Sequence, residues 1–66
     1  MQLSINGELK TVSDSISVAA LIGLLELKRE RVAVELNCDI VPRARWEQVC
    51  LRSGDRLEIV HFVGGG

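Results

Sequence analysis

A single stretch of helical periodicity is set among strand-like segments, and one helix can cover only one face of a sheet. Val18, Leu21, Ile22 and Leu25 recur at helical spacing and define one apolar face. Before them, Met1, Leu3 and Ile5 alternate with Gln2, Ser4 and Asn6, the period of a half-buried strand. Asn6-Gly7 is a strong hairpin signal because both residues tolerate positive φ, so Glu8 to Val12 is predicted to return antiparallel. After the helix, Val32 to Asn37 reads as a third strand with Val32, Val34 and Leu36 on one face. Ile40-Val41 reads as a short strand that Pro42 ends. Arg43 to Val49 reads as irregular chain or a short helical turn around Trp46. Ser53-Gly54-Asp55 is a turn signal that launches a last strand, Arg56 to Val63.

Ser17 is the predicted helix N-cap, since its hydroxyl can accept from an early orphan amide. Ile16 and Leu21 stand where a hydrophobic staple would place them. Gly23 costs the helix about 1 kcal/mol relative to alanine, so the helix is expected to be short, held by packing, and to end near Leu27-Lys28. The economical packing is an α+β domain of two layers, a mixed sheet of four to five strands with one main helix across one face. The first and last strands then lie side by side in the centre, which is the β-grasp. Residues 1–63 are expected to form this single domain and residues 64–66 a flexible glycine tail.

The 66 residues suffice for one domain with a thin core, burying only about 60% of the surface the unfolded chain exposes. A net charge of −1 gives no electrostatic case for nucleic acid or an anionic membrane. Lys28-Arg29-Glu30-Arg31, Arg43 and Arg45 are expected to be solvated surface. The longest apolar run, Val18 to Leu25, is too short to cross a bilayer, and no leader-like pattern opens the sequence, so the expected compartment is the cytosol. Cys38 and Cys50 fit neither a C-x-x-C nor a zinc pattern and are expected to be small buried or half-buried residues. No nucleophile–base pair, metal cluster or phosphate-binding loop is visible, so no catalytic or metal-binding residue is assigned. His61 is expected to be structural, Trp46 to pack at the edge of the core, and Asp55 to support its turn.

The candidate site is the end of the sequence. Gly64-Gly65-Gly66 follows directly on the last strand, and an arm without side chains can enter a channel where any Cβ would clash. Three extended residues reach roughly 10 Å. Ordering such an arm is entropically costly, so affinity for a partner should come from the body. With Leu57 and Ile59 facing the core, Glu58, Val60 and Phe62 face the other way, and Val60 with Phe62 is the expected partner-binding anchor.

The stretch from Gly54 through Leu57-Glu58-Ile59-Val60-His61-Phe62-Val63 to Gly66 resembles the C-terminal signature of the ThiS family, the sulfur carriers of thiamin (thiazole) biosynthesis. Ile5-Asn6-Gly7-Glu8 and Val41-Pro42-Arg43-Ala44-Arg45-Trp46 are also similar to that family. The resemblance implies a ubiquitin-like fold and a chain that is acted on rather than catalytic. It implies that the chemistry is carried on a C-terminal Gly-Gly, here Gly65 and Gly66, with Gly64 a third glycine the motif does not need. The arm Gly64, Gly65 and Gly66 is expected to enter a partner's active site. There the Gly66 carboxylate is adenylated by an adenylyltransferase resembling the ubiquitin-activating enzymes, which uses ATP with magnesium. A sulfur donor protein then converts the adenylate to a thiocarboxylate, and thiazole synthase receives the sulfur. The chain itself is expected to bind no cofactor. The small sulfur-carrying subunit of molybdopterin synthase, a protein-conjugating modifier and a plain ubiquitin-like interaction module are the competing readings.

Overall fold

In the computed structural model, which describes residues 1–62, five strands form one mixed sheet and a short helix crosses one of its faces. The strands are β1 (Gln2–Ile5), β2 (Glu8–Thr11), β3 (Val32–Leu36), β4 (Asp39–Ile40) and β5 (Arg56–His61), and the helix is α1 (Val18–Leu24). The strand order is β2-β1-β5-β3-β4, so β5 is central. It runs parallel to β1, with Ser4 beside Arg56, and antiparallel to β3, with Val34 beside Ile59. This is the β-grasp expected from the order of elements. Among the described residues no helix is long and apolar enough to cross a membrane.

Two tight hairpins share one geometry. Asn6 and Gly7 join β1 to β2 with φ of 51° and 85°, and Asn37 and Cys38 join β3 to β4 with φ of 50° and 75°. Two consecutive positive φ values are the mark of the type I′ turn, whose twist matches that of paired strands. The sequence advertised the first through Asn6-Gly7. It concealed the second, because cysteine occupies the place where glycine is usual.

Ser17 caps α1 as expected, accepting a hydrogen bond at its Oγ from the Ala20 N–H at 3.0 Å. The helix stops earlier than the apolar spacing predicts. Glu26 takes a left-handed φ of 59°, the Leu27 N–H donates to the Ile22 carbonyl at 3.1 Å, and the Glu26 N–H donates to the Gly23 carbonyl at 3.0 Å. That pair of bonds is a Schellman closure, built on glutamate instead of the common glycine. Leu25 and Leu27 still pack against the core from beyond the helix end.

Val18, Leu21 and Ile22 of α1 press on Leu3, Val32, Val34, Leu57 and Ile59 of the sheet. Trp46 is the largest fully buried side chain and belongs to the core itself, not to its edge. Its Nε1 donates to the Val41 carbonyl at 3.0 Å. The guanidinium groups of Arg29 and Arg43 lie 5.3 and 5.6 Å from its ring centroid. These two arginines are therefore not simply solvated charges. Arg43 Nε donates to the Arg29 carbonyl at 2.8 Å and Arg43 Nη2 to the Val32 carbonyl at 3.0 Å, while Arg29 pairs with Glu47. The hydrogen bond from Arg29 holds the Glu47 carboxyl below the ordinary carboxylate range. A short 3-10 turn at Arg29–Arg31, which the charge-rich sequence did not announce, brings Arg29 over the indole.

Candidate functional site

The strand that leads toward the glycines is the most closely held in the sheet. On the β3 side, the Asn37 N–H donates to the Arg56 carbonyl at 2.7 Å, and Asn37 Oδ1 accepts from the Arg56 N–H at 3.0 Å. Asn37 Nδ2 also donates to Asp55 Oδ1 at 3.1 Å, and Asp55 Oδ2 accepts from the Arg52 N–H at 2.8 Å. Asp55 thus supports its turn as expected. At the far end of β5, the Phe62 N–H donates to the Arg31 carbonyl at 2.8 Å.

On the β1 side, the partner strand runs out at the Asn6-Gly7 turn, and a side chain takes over. Asn6 Oδ1 accepts from the Ile59 N–H at 2.7 Å, and Asn6 Nδ2 donates to the Ile59 carbonyl at 3.2 Å. The carboxamide carries both a donor and an acceptor, so it imitates one more rung of β1. Asn6 therefore fixes the hairpin through its backbone and β5 through its side chain. Sequence reasoning found the first role and missed the second. The two residues are 53 positions apart, and nothing local in Asn6-Gly7 points to Ile59.

Beyond Ile59 the β1 side of the strand makes no backbone pairing with β1 among the described residues. His61 stands opposite Val32 but is exposed, and its ring makes no hydrogen bond among the described residues. It is not packed into the core. Val60 and Phe62 are both 52% exposed and point away from α1, the side to which alternation assigned them. Leu57 and Ile59 are buried, as expected. Val63 and the assigned tail residues Gly64, Gly65 and Gly66 lie outside the described residues.

The cysteines depart from expectation, since both are free and exposed. Cys38 is at a hairpin tip, where no side chain can reach the core. Cys50 lies between the half-buried Val49 and the buried Leu51 and, by strand alternation, turns outward. A groove of about 450 Å³ runs beside β4, lined by Leu36, Ile40, Val41, Pro42, Arg45 and Val49. None of its lining residues belongs to β5, although Leu36 pairs with Leu57 at the start of that strand.

A two-layer β-grasp whose central last strand runs out toward a glycine run defines a small ubiquitin-like protein. The ThiS family profile matches residues 3–66, and the chain belongs to the ThiS family. It is 38% identical to the sulfur carrier protein ThiS of Bacillus subtilis, across 97% of this chain and 98% of that protein. It is 50% identical to a thiazole synthase of Paramagnetospirillum magneticum across 100% of this chain, but spans only 20% of that protein's length. The crystal structure of the thiamine biosynthesis protein ThiS from Geobacter metallireducens superposes with a TM-score of 0.87 at 35% identity, covering 100% of both chains.

Proposed function

We propose that this chain is a sulfur carrier for thiazole formation in thiamin biosynthesis, and that the carboxylate of Gly66 is the group that carries the sulfur. The observation that carries the reading is the pairing of family membership with a clamped central strand that leads into Gly64-Gly65-Gly66.

A terminal carboxylate is an anion at neutral pH, repels nucleophiles and has no good leaving group. A partner adenylyltransferase, using ATP and magnesium, supplies both remedies. A carboxylate oxygen attacks the α-phosphorus of ATP, pyrophosphate leaves, and an acyl adenylate forms. Hydrosulfide attacks the acyl carbon, the C–S bond forms, the bond to AMP breaks, and a thiocarboxylate remains. When the donor is instead a protein persulfide, a thiol must cleave the resulting acyl disulfide to release the same group. Thiazole synthase then receives the sulfur. This chain contributes the reacting group and a docking body, and its partners contribute the catalysis, in the cytosol.

From Phe62 to Gly66 four extended residues reach roughly 13–14 Å, so the reacting atom can enter an active site while the body stays outside. Deleting Gly66 is expected to abolish loading by the activating enzyme with ATP and a sulfur source, with the thermal unfolding midpoint unchanged. Undiminished sulfur loading of the shortened chain would exclude Gly66 as the carrier residue.

A further inference from the structure

The last strand is held unequally along its two edges. On the β3 edge the pairing runs from Leu36 with Leu57 to Val32 with His61, and the Phe62 N–H adds its bond to the Arg31 carbonyl. On the β1 edge the pairing covers only Arg56 and Leu57, and the Asn6 N–H closes it on the Leu57 carbonyl at 2.9 Å. The next attachment on that edge is the Asn6 carboxamide, which holds both the N–H and the carbonyl of Ile59. Among the described residues it is the last hydrogen-bonded attachment on this edge before the glycines.

Asn6 is exposed and free to bond water instead, so its two bonds to Ile59 add little net stability. Their consequence is geometric. Without the carboxamide, β5 would be held on the β3 edge alone beyond Leu57 instead of beyond Ile59, which frees two more residues, or roughly 7 Å of strand. The sheet survives through β3, but the stretch from Glu58 to Phe62 can then swing about that edge. Gly66 lies seven residues past Ile59, so a change in where the strand points is carried to the base of the arm. A misplacement of about 1 Å at reacting groups can cost about a hundredfold in rate. Asparagine suits both of its tasks, since it tolerates the φ of 51° that the turn needs and carries a donor and an acceptor on one planar amide.

We propose that Asn6 is a positioning residue for sulfur loading, and that its carboxamide fixes the direction in which β5 delivers Gly64-Gly65-Gly66 to the adenylyltransferase. It acts through Ile59, not on the reacting carboxylate itself. This rests on the carrier reading given above. The carboxamide is spent on this chain's own backbone and lends nothing to docking, so its loss falls on turnover and not on affinity.

The test compares the wild type with Asn6→Gly and Asn6→Asp as substrates of the cognate adenylyltransferase, following pyrophosphate release at varied carrier concentration. Asn6→Gly removes the carboxamide but keeps the turn, since Gly-Gly suits a type I′ pair. It is expected to lower kcat about tenfold with KM unchanged within about twofold. The Ile59 amide should also become open to hydrogen exchange, while the Val60 amide, on the β3 edge, stays protected. Asn6→Asp keeps an acceptor for the Ile59 N–H but loses the donor to its carbonyl, so its kcat should fall between the two. Ile22→Val, a core variant with its own loss of stability, should load at the wild-type rate, which separates positioning from stability. A wild-type kcat for Asn6→Gly overturns the proposal, as does a raised KM with kcat unchanged, or an equal loss of kcat in Ile22→Val. If Asn6→Gly does not fold, a wild-type kcat for Asn6→Asp overturns it instead. Failure of the wild type to load removes the carrier reading and this proposal with it, whereas normal loading of every chain removes only the role of Asn6.

Discussion

Successive residues of β5 belong to two different surfaces. Leu57 and Ile59 are sealed beneath α1, whereas Glu58, Val60 and Phe62 stand open on the other side. The covered face is apolar without exception among its buried members and is closed by Trp46 with its own hydrogen bond to Val41. The open face mixes hydrophobics with carboxylates that make no ion pair among the described residues. One helix suffices to bury one face of a five-stranded sheet, so the other is free to be shaped by contacts outside the chain. In a domain of this size the division is economical, since the strand that anchors the core also carries the groups nearest the reacting end.

Substitutions on the two faces should break in different ways. The largest effect belongs to Leu57→Ala, which is expected to cost about 2–5 kcal/mol through lost burial and a residual cavity. A domain of this length has a total stability of only about 3–10 kcal/mol, so much of the population should be unfolded in chemical denaturation. A loss below about 1 kcal/mol would mean that β5 is not the keel of the core. Phe62→Ala is the complementary case. Stability should move by no more than about 0.5 kcal/mol, while affinity for the protein partner falls at least about tenfold. Unchanged binding in a calorimetric titration would remove Phe62 from the docking face.

A smaller effect sharpens the contrast at a place that belongs to neither face. Cys38 holds a φ of 75° at a hairpin tip, and its side chain is exposed. Cys38→Gly should relieve the left-handed strain and raise stability by about 0.5–1 kcal/mol. A lower melting temperature for that variant would show that the thiol contributes contacts the turn needs.

Much of the fold was legible because its signals are local. Period-two alternation, Asn6-Gly7, the Ser17 cap and the helical spacing of Val18, Leu21 and Ile22 each act within a few residues. Their order left the β-grasp as the economical packing. Boundaries set by hydrogen bonding were less legible, as the early end of α1 at Glu26 illustrates, since nothing in the identity of a glutamate announces a left-handed conformation. Nothing local to Trp46 shows that it lies inside the core and not at its edge, and only the fold brings Arg29 and Arg43 onto its ring. The candidate site divides in the same way. The inside–outside alternation of β5 could be read from sequence, along with the glycine run beyond it. The Asn6 rung on Ile59 could not, because it depends on register between strands far apart in the chain.

A sulfur carrier of this kind must receive a sulfur atom at its last acyl carbon. The direct measurement is intact and fragment mass spectrometry of the protein after incubation with its activating enzyme, ATP, magnesium and a sulfur source. The predicted result is exchange of one oxygen for sulfur, with fragment ions assigning it to Gly66. An unmodified chain under conditions where the same enzyme loads another member of the family, or sulfur found on Cys38 or Cys50 instead, would contradict it.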